Sequence, residues 1–139
     1  MLRFYDLEGN SCGEREVNVG SSGPITTAPG EPLLFTYYSG HSLFSLDLNV
    51  AGSATKLHEG GHIKSPIGVT RDPSGNIYVA CSNSHNVLQF NEKVNFIREI
   101  IHTESAVRHP YGIRIKRLGD DIKLLLTTKG KVLVVRFGD

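Results

Sequence analysis

Six histidines, at His41, His58, His62, His85, His102 and His109, are the residues of this 139-residue chain best suited to ligate a metal or move a proton near neutral pH. The close pair is His58-x-x-x-His62, a spacing that aligns two imidazoles on one helix face. Gly60 and Gly61 lie between them, so no helix is expected there and the pair has nothing to align it. Cys12 and Cys81 stand apart without C-x-x-C spacing, which argues for two free thiols and against a zinc knuckle or a disulfide framework. Asp120-Asp121 places two carboxylates together, but in a hairpin turn their expected work is turn formation rather than acid and base catalysis. Ser22-Gly23 and Gly60-Gly61 lack the strand-to-helix setting of a phosphate loop and read as linkers. No Ser-His-Asp or Cys-His arrangement follows from spacing, so no catalytic residue, metal ligand or cofactor is assigned.

The elements that must position these groups come from a repeat. Pro66-x-Gly68 recurs at Pro110-x-Gly112, 44 residues on, and the stretch after each is rich in β-branched and aromatic residues. A period of this size fits four short strands and marks a β-propeller blade. In the clearer copy, strands are expected at Gly68–Arg71, Ile77–Cys81, Val87–Phe90 and Phe96–Ile101. A type I turn at Asp72-Pro73-Ser74-Gly75 joins the first two, and Gly75 supplies the positive φ. The following copy has one residue inserted in its first hairpin and offers three strands, Tyr111–Lys116, Ile122–Thr127 and Lys131–Phe137. Looking back 44 positions, Leu33-Leu34-Phe35 falls on Ile77-Tyr78-Val79 and His41 on His85, so a degenerate blade precedes. Before it, Leu2–Leu7 and Glu14–Val19 read as the last two strands of a further blade. Apolar runs such as Leu124-Leu125-Leu126 suit sheets covered on both faces, as blades are; a β-sandwich is the alternative. The expectation is an all-β, incomplete propeller of about three antiparallel four-stranded blades forming one domain over 1–139. Its parts are a remnant at 1–22, blades at 23–62 and 63–106, and a three-stranded last blade at 107–139.

Within Pro66-x-Gly68-Val69, Asp72-x-x-Gly75-Asn76-Ile77-Tyr78-Val79, His85-Asn86-Val87 and Phe90, the sequence resembles the NHL repeat. The likeness is clearest over this blade, weaker over Pro110–Phe137 and weakest before Pro66. Cys81 stands where the family usually has Asp, and Ser84-His85-Asn86 replaces Asn-His-Arg; the repeat from Pro110 has Thr128-Lys129-Gly130 and no His at that place. The resemblance implies a propeller that has six blades when complete, with this chain similar to its C-terminal half. It also implies that the outermost strand of the last blade comes from the start of the domain. Such propellers often end tripartite-motif proteins, in which ubiquitin ligase activity would belong to a RING-bearing parent. Some propellers of this type are instead metal-dependent lyases.

In a propeller the turns between second and third strands share a face with the connections between blades. That face would carry His41, Lys64, His85, Arg108, His109, Tyr111, Lys129 and Lys131. Lys64, Arg108, Lys129 and Lys131 outnumber Glu59 and Glu104 there, a local bias hidden by the formal net charge of +1. With Tyr111, Tyr37 and Tyr38 nearby, the face could hold single-stranded RNA or an acidic peptide. The expected function is a non-enzymatic recognition scaffold for protein or RNA, with a metal-dependent lactonase or amidating lyase as the alternative. No apolar run approaches membrane-spanning length and charge appears early, so a cytoplasmic protein is expected. An open arc exposes apolar end faces, so self-association, or blades supplied by a longer chain, is also expected.

Overall fold

The structure is a computed structural model and describes residues 2–5, 7–15, 25–26, 31–49, 54–101, 109–110, 112–128 and 130–136. Among them there is no helix; the chain forms thirteen strands in four antiparallel sheets. Strands β1 (Leu2–Tyr5) and β2 (Ser11–Arg15) pair alone. Strands β3 (Ile25–Thr26), β4 (Leu33–Tyr37), β5 (Ser42–Leu46) and β6 (Thr55–Glu59) form a four-stranded meander. A second meander follows, of β7 (Pro66–Arg71), β8 (Ile77–Cys81), β9 (Asn86–Phe90) and β10 (Phe96–Ile101). The last sheet has β11 (Gly112–Leu118), β12 (Asp121–Thr128) and β13 (Lys131–Arg136). Strand β7 lies against β3 and β4 on one side and β11 on the other, so the first strands of successive sheets are neighbours. That is the arrangement of an incomplete β-propeller.

The apolar run of β8 has a simple cause. Side chains alternate between faces along a strand, and here both faces are buried. Ile77, Val79 and Cys81 enter a core with Leu34, Leu43, Ile63, Leu88 and Phe90, between the first and second meanders. Tyr78 and Ala80 enter the opposite core with Val87, Ile101, Leu124 and Leu126, between the second meander and the last sheet. A residue of either core stabilises the fold by about 1.5–3 kcal/mol through burial. Polar links also join neighbouring blades: the Ile115 N–H donates to Thr70 Oγ1 at 3.1 Å, and Arg71 pairs with Glu31 at 3.4 Å.

The turn before β8 forms as its residues dictate. Asp72 Oδ1 accepts the N–H groups of Ser74 and Asn76, each at 2.9 Å, and Gly75 takes φ +92°. The same hydrogen bonds recur two turns later, between β9 and β10, with Asn91 Oδ1 accepting from Lys93 and Asn95 and Val94 in the place of Gly75. Val94 has φ +65°, a strained conformation for a β-branched residue.

One expected strand moves. The strand placed at Glu14–Val19 lies instead at Ser11–Arg15, because Gly9 at φ +89° turns the chain early and lets Ser11 pair with Tyr5. Residues 16–19 lie outside the described residues. Asp121, read as part of a turn, is the first residue of β12 and pairs with Leu118, leaving Gly119 and Asp120 to make the turn.

Candidate functional site

Three segments converge at one end of the second blade. The β4–β5 turn carries His41, the β6–β7 connection spans residues 60–65, and the β8–β9 turn spans residues 82–85. These segments meet at a depression of about 420 Å³ bordered by His41, Lys64, Ser65, Asn83 and Ser84, with Ile63 beneath at 0% exposure. A volume near 420 Å³ lies within the range of small-ligand pockets, about 300–1,000 Å³.

Backbone hydrogen bonds hold the segments together. The Ser65 N–H donates to His41 Nδ1 at 2.9 Å, and the Gly60 N–H donates to the His41 carbonyl at 2.9 Å. The Ser82 N–H donates to the Ser65 carbonyl at 3.2 Å. Asn83 Nδ2 donates to Tyr38 Oη at 2.8 Å and to Ser65 Oγ at 3.3 Å, tying adjacent turns. An Nδ1 that accepts a hydrogen bond is unprotonated, so neutral His41 carries its proton on Nε2.

One blade further on, the contact repeats. The His109 N–H donates to His85 Nδ1 at 2.9 Å, and the two rings lie edge to face with centroids 4.4 Å apart. All four residues of the two clasps take positive φ: His41 51°, Ser65 49°, His85 53° and His109 47°. His41 to His85 and Ser65 to His109 are both steps of 44, so the sequence period is also a period of tertiary hydrogen bonds.

The expected site residues divide as follows. His41 and Lys64 share the depression, and His85 and His109 form the second clasp. Lys131 is the first residue of β13, exposed, at the matching end of the last sheet. Arg108, Tyr111 and Lys129 lie outside the described residues, as does His102. His58 and His62 make other contacts: the His58 ring lies 5.2 Å from Phe90, and that of His62 stacks on Phe96 at 3.7 Å. Among the described residues no group of three or more His, Cys, Asp or Glu is arranged to hold a metal ion. The rim residues that sequence reasoning missed are Ser65, Asn83 and Ser84. Their signal was the connection three positions before Gly68, which carries Ser65 where the next repeat carries His109.

Electrostatics favour an anion at this rim. Glu59, the acidic residue of the approach, pairs with Lys56 at 3.0 Å. The Lys64 ammonium has no ion-pair partner among the described residues, while its backbone N–H donates to the Cys81 thiol. Burial pushes that thiol up to about 11, the Lys64 bond opposes the rise, and the nearby Glu99 charge adds to it. Cys81 is thus a buried, protonated packing group, unsuited to nucleophilic work. On the other face of β8, burial first and then the hydrogen bond to Asp72 raise Tyr78, which donates to Asp72 Oδ2 at 2.8 Å.

No helix of the described residues is long and apolar enough to cross a membrane. The NHL repeat pattern matches residues 64–90, which hold Lys64, Ser65, the β8–β9 turn and His85. No curated protein matches the chain in sequence. Among solved structures, a catalytically inactive His-to-Ala variant of virginiamycin B lyase from Staphylococcus aureus, crystallised with quinupristin, is similar with TM-score 0.67 and 16% identity. The match covers 97% of this chain and 48% of that one. A streptogramin B lyase is similar with TM-score 0.62 and 17% identity, over 90% of this chain and 45% of that one. Hydrazine synthase of Kuenenia stuttgartiensis follows at TM-score 0.60 and 20% identity, over 90% and 37%. The chain therefore spans half or less of the length of these structures, and at such identities the likeness is one of fold. What the residues and these likenesses establish together is an incomplete β-propeller with an NHL repeat at residues 64–90.

Proposed function

We propose that this chain is a non-enzymatic recognition scaffold whose clasped loop face binds a macromolecular partner, protein or single-stranded RNA. In a longer tripartite-motif parent it would select the substrate for ubiquitin transfer. The observation that carries the reading is the repeated clasp, in which His41 and His85 spend Nδ1 on the backbone of the next connection. A surface whose turns are fixed before binding loses less conformational entropy when a partner docks. The NHL repeat over residues 64–90 supports the same reading, since it contains one wall of the depression and one clasp histidine.

The test is charge reversal at Arg108 and Lys129, with binding of an acidic peptide and of oligouridine measured at low salt. Affinity for at least one of them should fall by an order of magnitude or more. Unchanged affinity for both would reject the face.

A second reading has one observation in its favour. The edge-to-face pair of His85 and His109 lies in a fold shared with virginiamycin B lyase, a protein inactivated by replacing one histidine. On that reading the chain is part of a metal-dependent propeller enzyme. Stoichiometric calcium or zinc in purified protein, lost on His109→Ala, would favour it.

A further inference from the structure

The depression beside His41 differs in character from the rest of the loop face. Its rim offers one charged hydrogen-bond donor, the Lys64 ammonium, and one neutral donor, the Nε2–H of His41, whose Nδ1 is spent on Ser65. Asn83 has committed its amide nitrogen to Tyr38 and Ser65, which leaves its carbonyl oxygen as the acceptor that side chain brings to the rim. Among the described residues no carboxylate lines the depression, and Glu59 nearby is matched by Lys56. Gly60 and Gly61 keep the edge small, and Ile63 lies fully buried beneath it.

We infer that this depression takes the side chain of a glutamate in an extended acidic segment of a partner protein, an assignment resting on the loop-face reading above. The carboxylate meets Lys64 and His41, the methylenes lie along the Gly60–Gly61 edge, and the segment's backbone N–H meets Asn83. A charge-assisted hydrogen bond to Lys64 is roughly twice as strong as a neutral one, which sets the preference for Glu over Gln. RNA fits the depression less well. A nucleic acid strand is held by rows of cations and by aromatic platforms for successive bases, whereas the described residues lining this rim include one ammonium and one ring, and that ring is pinned by Ser65.

The experiment titrates isotopically labelled protein with acetyl-Gly-Glu-Gly-amide and follows the amide resonances of Lys64, Ser65 and Asn83. Acetyl-Gly-Gln-Gly-amide, inorganic phosphate and hexauridine serve as the comparison arms. The Glu peptide should move these resonances and bind at least tenfold more tightly than the Gln peptide. Lys64→Met, which keeps an aliphatic stem, should remove that difference without altering the thermal midpoint. His41→Asn, which retains an acceptor for Ser65 but has no Nε2, should weaken the Glu peptide several-fold. Equal binding of the Glu and Gln peptides, indifference to Lys64→Met, or tighter saturation of the same amides by phosphate or hexauridine would overturn the assignment. If the assignment fails while reversal at Arg108 and Lys129 still lowers partner affinity, the recognition face stands and only this depression is ruled out.

Discussion

His85 Nδ1 accepts the backbone N–H of His109 at 2.9 Å across twenty-four residues of chain, and His41 makes the same bond to Ser65 one blade earlier. The turn between the second and third strands of a blade is thus fastened to the connection leading into the next. Both histidines sit in the left-handed region, where Asn and His are better tolerated than most residues.

Removal of one clasp tests this directly. His41→Ala should lower unfolding free energy by about 1 kcal/mol, the worth of a part-buried hydrogen bond. His41→Asn should recover most of the loss, because Asn accepts left-handed φ and its Oδ1 replaces Nδ1. Urea unfolding curves of the three proteins decide it, and Ala and Asn variants of equal stability would show that the bond contributes nothing.

The paired turns at Asp72 and Asn91 make a second comparison. Gly75→Val puts a β-branched side chain at φ +92°, with its Cβ 3.2 Å from that of Glu92, and should cost about 2 kcal/mol or more. Val94→Gly releases strain at φ +65° but removes a side chain packed on the core, so the two effects should cancel to within about 1 kcal/mol. Thermal melts of both variants measure the asymmetry.

Cys81 gives a pH dependence of known sign. Its thiol rises from 9.0 to about 11 on burial, so the folded state holds the proton more tightly than the unfolded chain. The contribution is fully present below pH 9 and is lost as pH rises toward 11, at most roughly 2–3 kcal/mol. Tyr78 is also raised and adds a loss of the same sign at still higher pH. Urea unfolding between pH 8 and 10 should show the decline, and Cys81→Ala should flatten it within this window. Under native conditions a thiol reagent should modify the exposed Cys12 and spare Cys81.

Strand β13 presents Val132 at 71% exposure and Val134 at 57%, on a strand paired on one side among the described residues. An apolar edge of this kind templates another strand. We predict concentration-dependent self-association in sedimentation, reduced by Val132→Lys with Val134→Lys. A wild-type chain that stays monomeric and melts cooperatively at high concentration would contradict it.

Much of this architecture was legible in the sequence, because blade strands are short and bounded by strong turn residues. Ile77–Cys81 and Phe96–Ile101 fall where β-branched and aromatic density placed them, and Asp72 to Gly75 makes the turn its residues demand. The strand placed at Glu14–Val19 was misread because Gly9, followed by Asn10, closes a hairpin before any apolar alternation begins. Positive φ at His41, Ser65, His85 and His109 was hidden for a different reason: residues other than Gly seldom announce it, and a tertiary bond imposes it here. The depression was invisible because its rim joins residue 41, the connection 60–65 and residues 83–84, segments that only blade packing brings together.

The measurement that bears most directly on recognition by the clasped face compares opposite ends of the blades. A fluorescent acidic peptide is titrated into wild type, a Lys64→Glu, Lys131→Glu variant of the loop face, and a Lys93→Glu, Arg117→Glu variant of the far end, each with its salt dependence. The loop-face variant should lose at least tenfold in affinity, and the far-end variant should keep it. Equal losses in both variants, or a loss confined to Lys93 and Arg117, would contradict recognition by the clasped face.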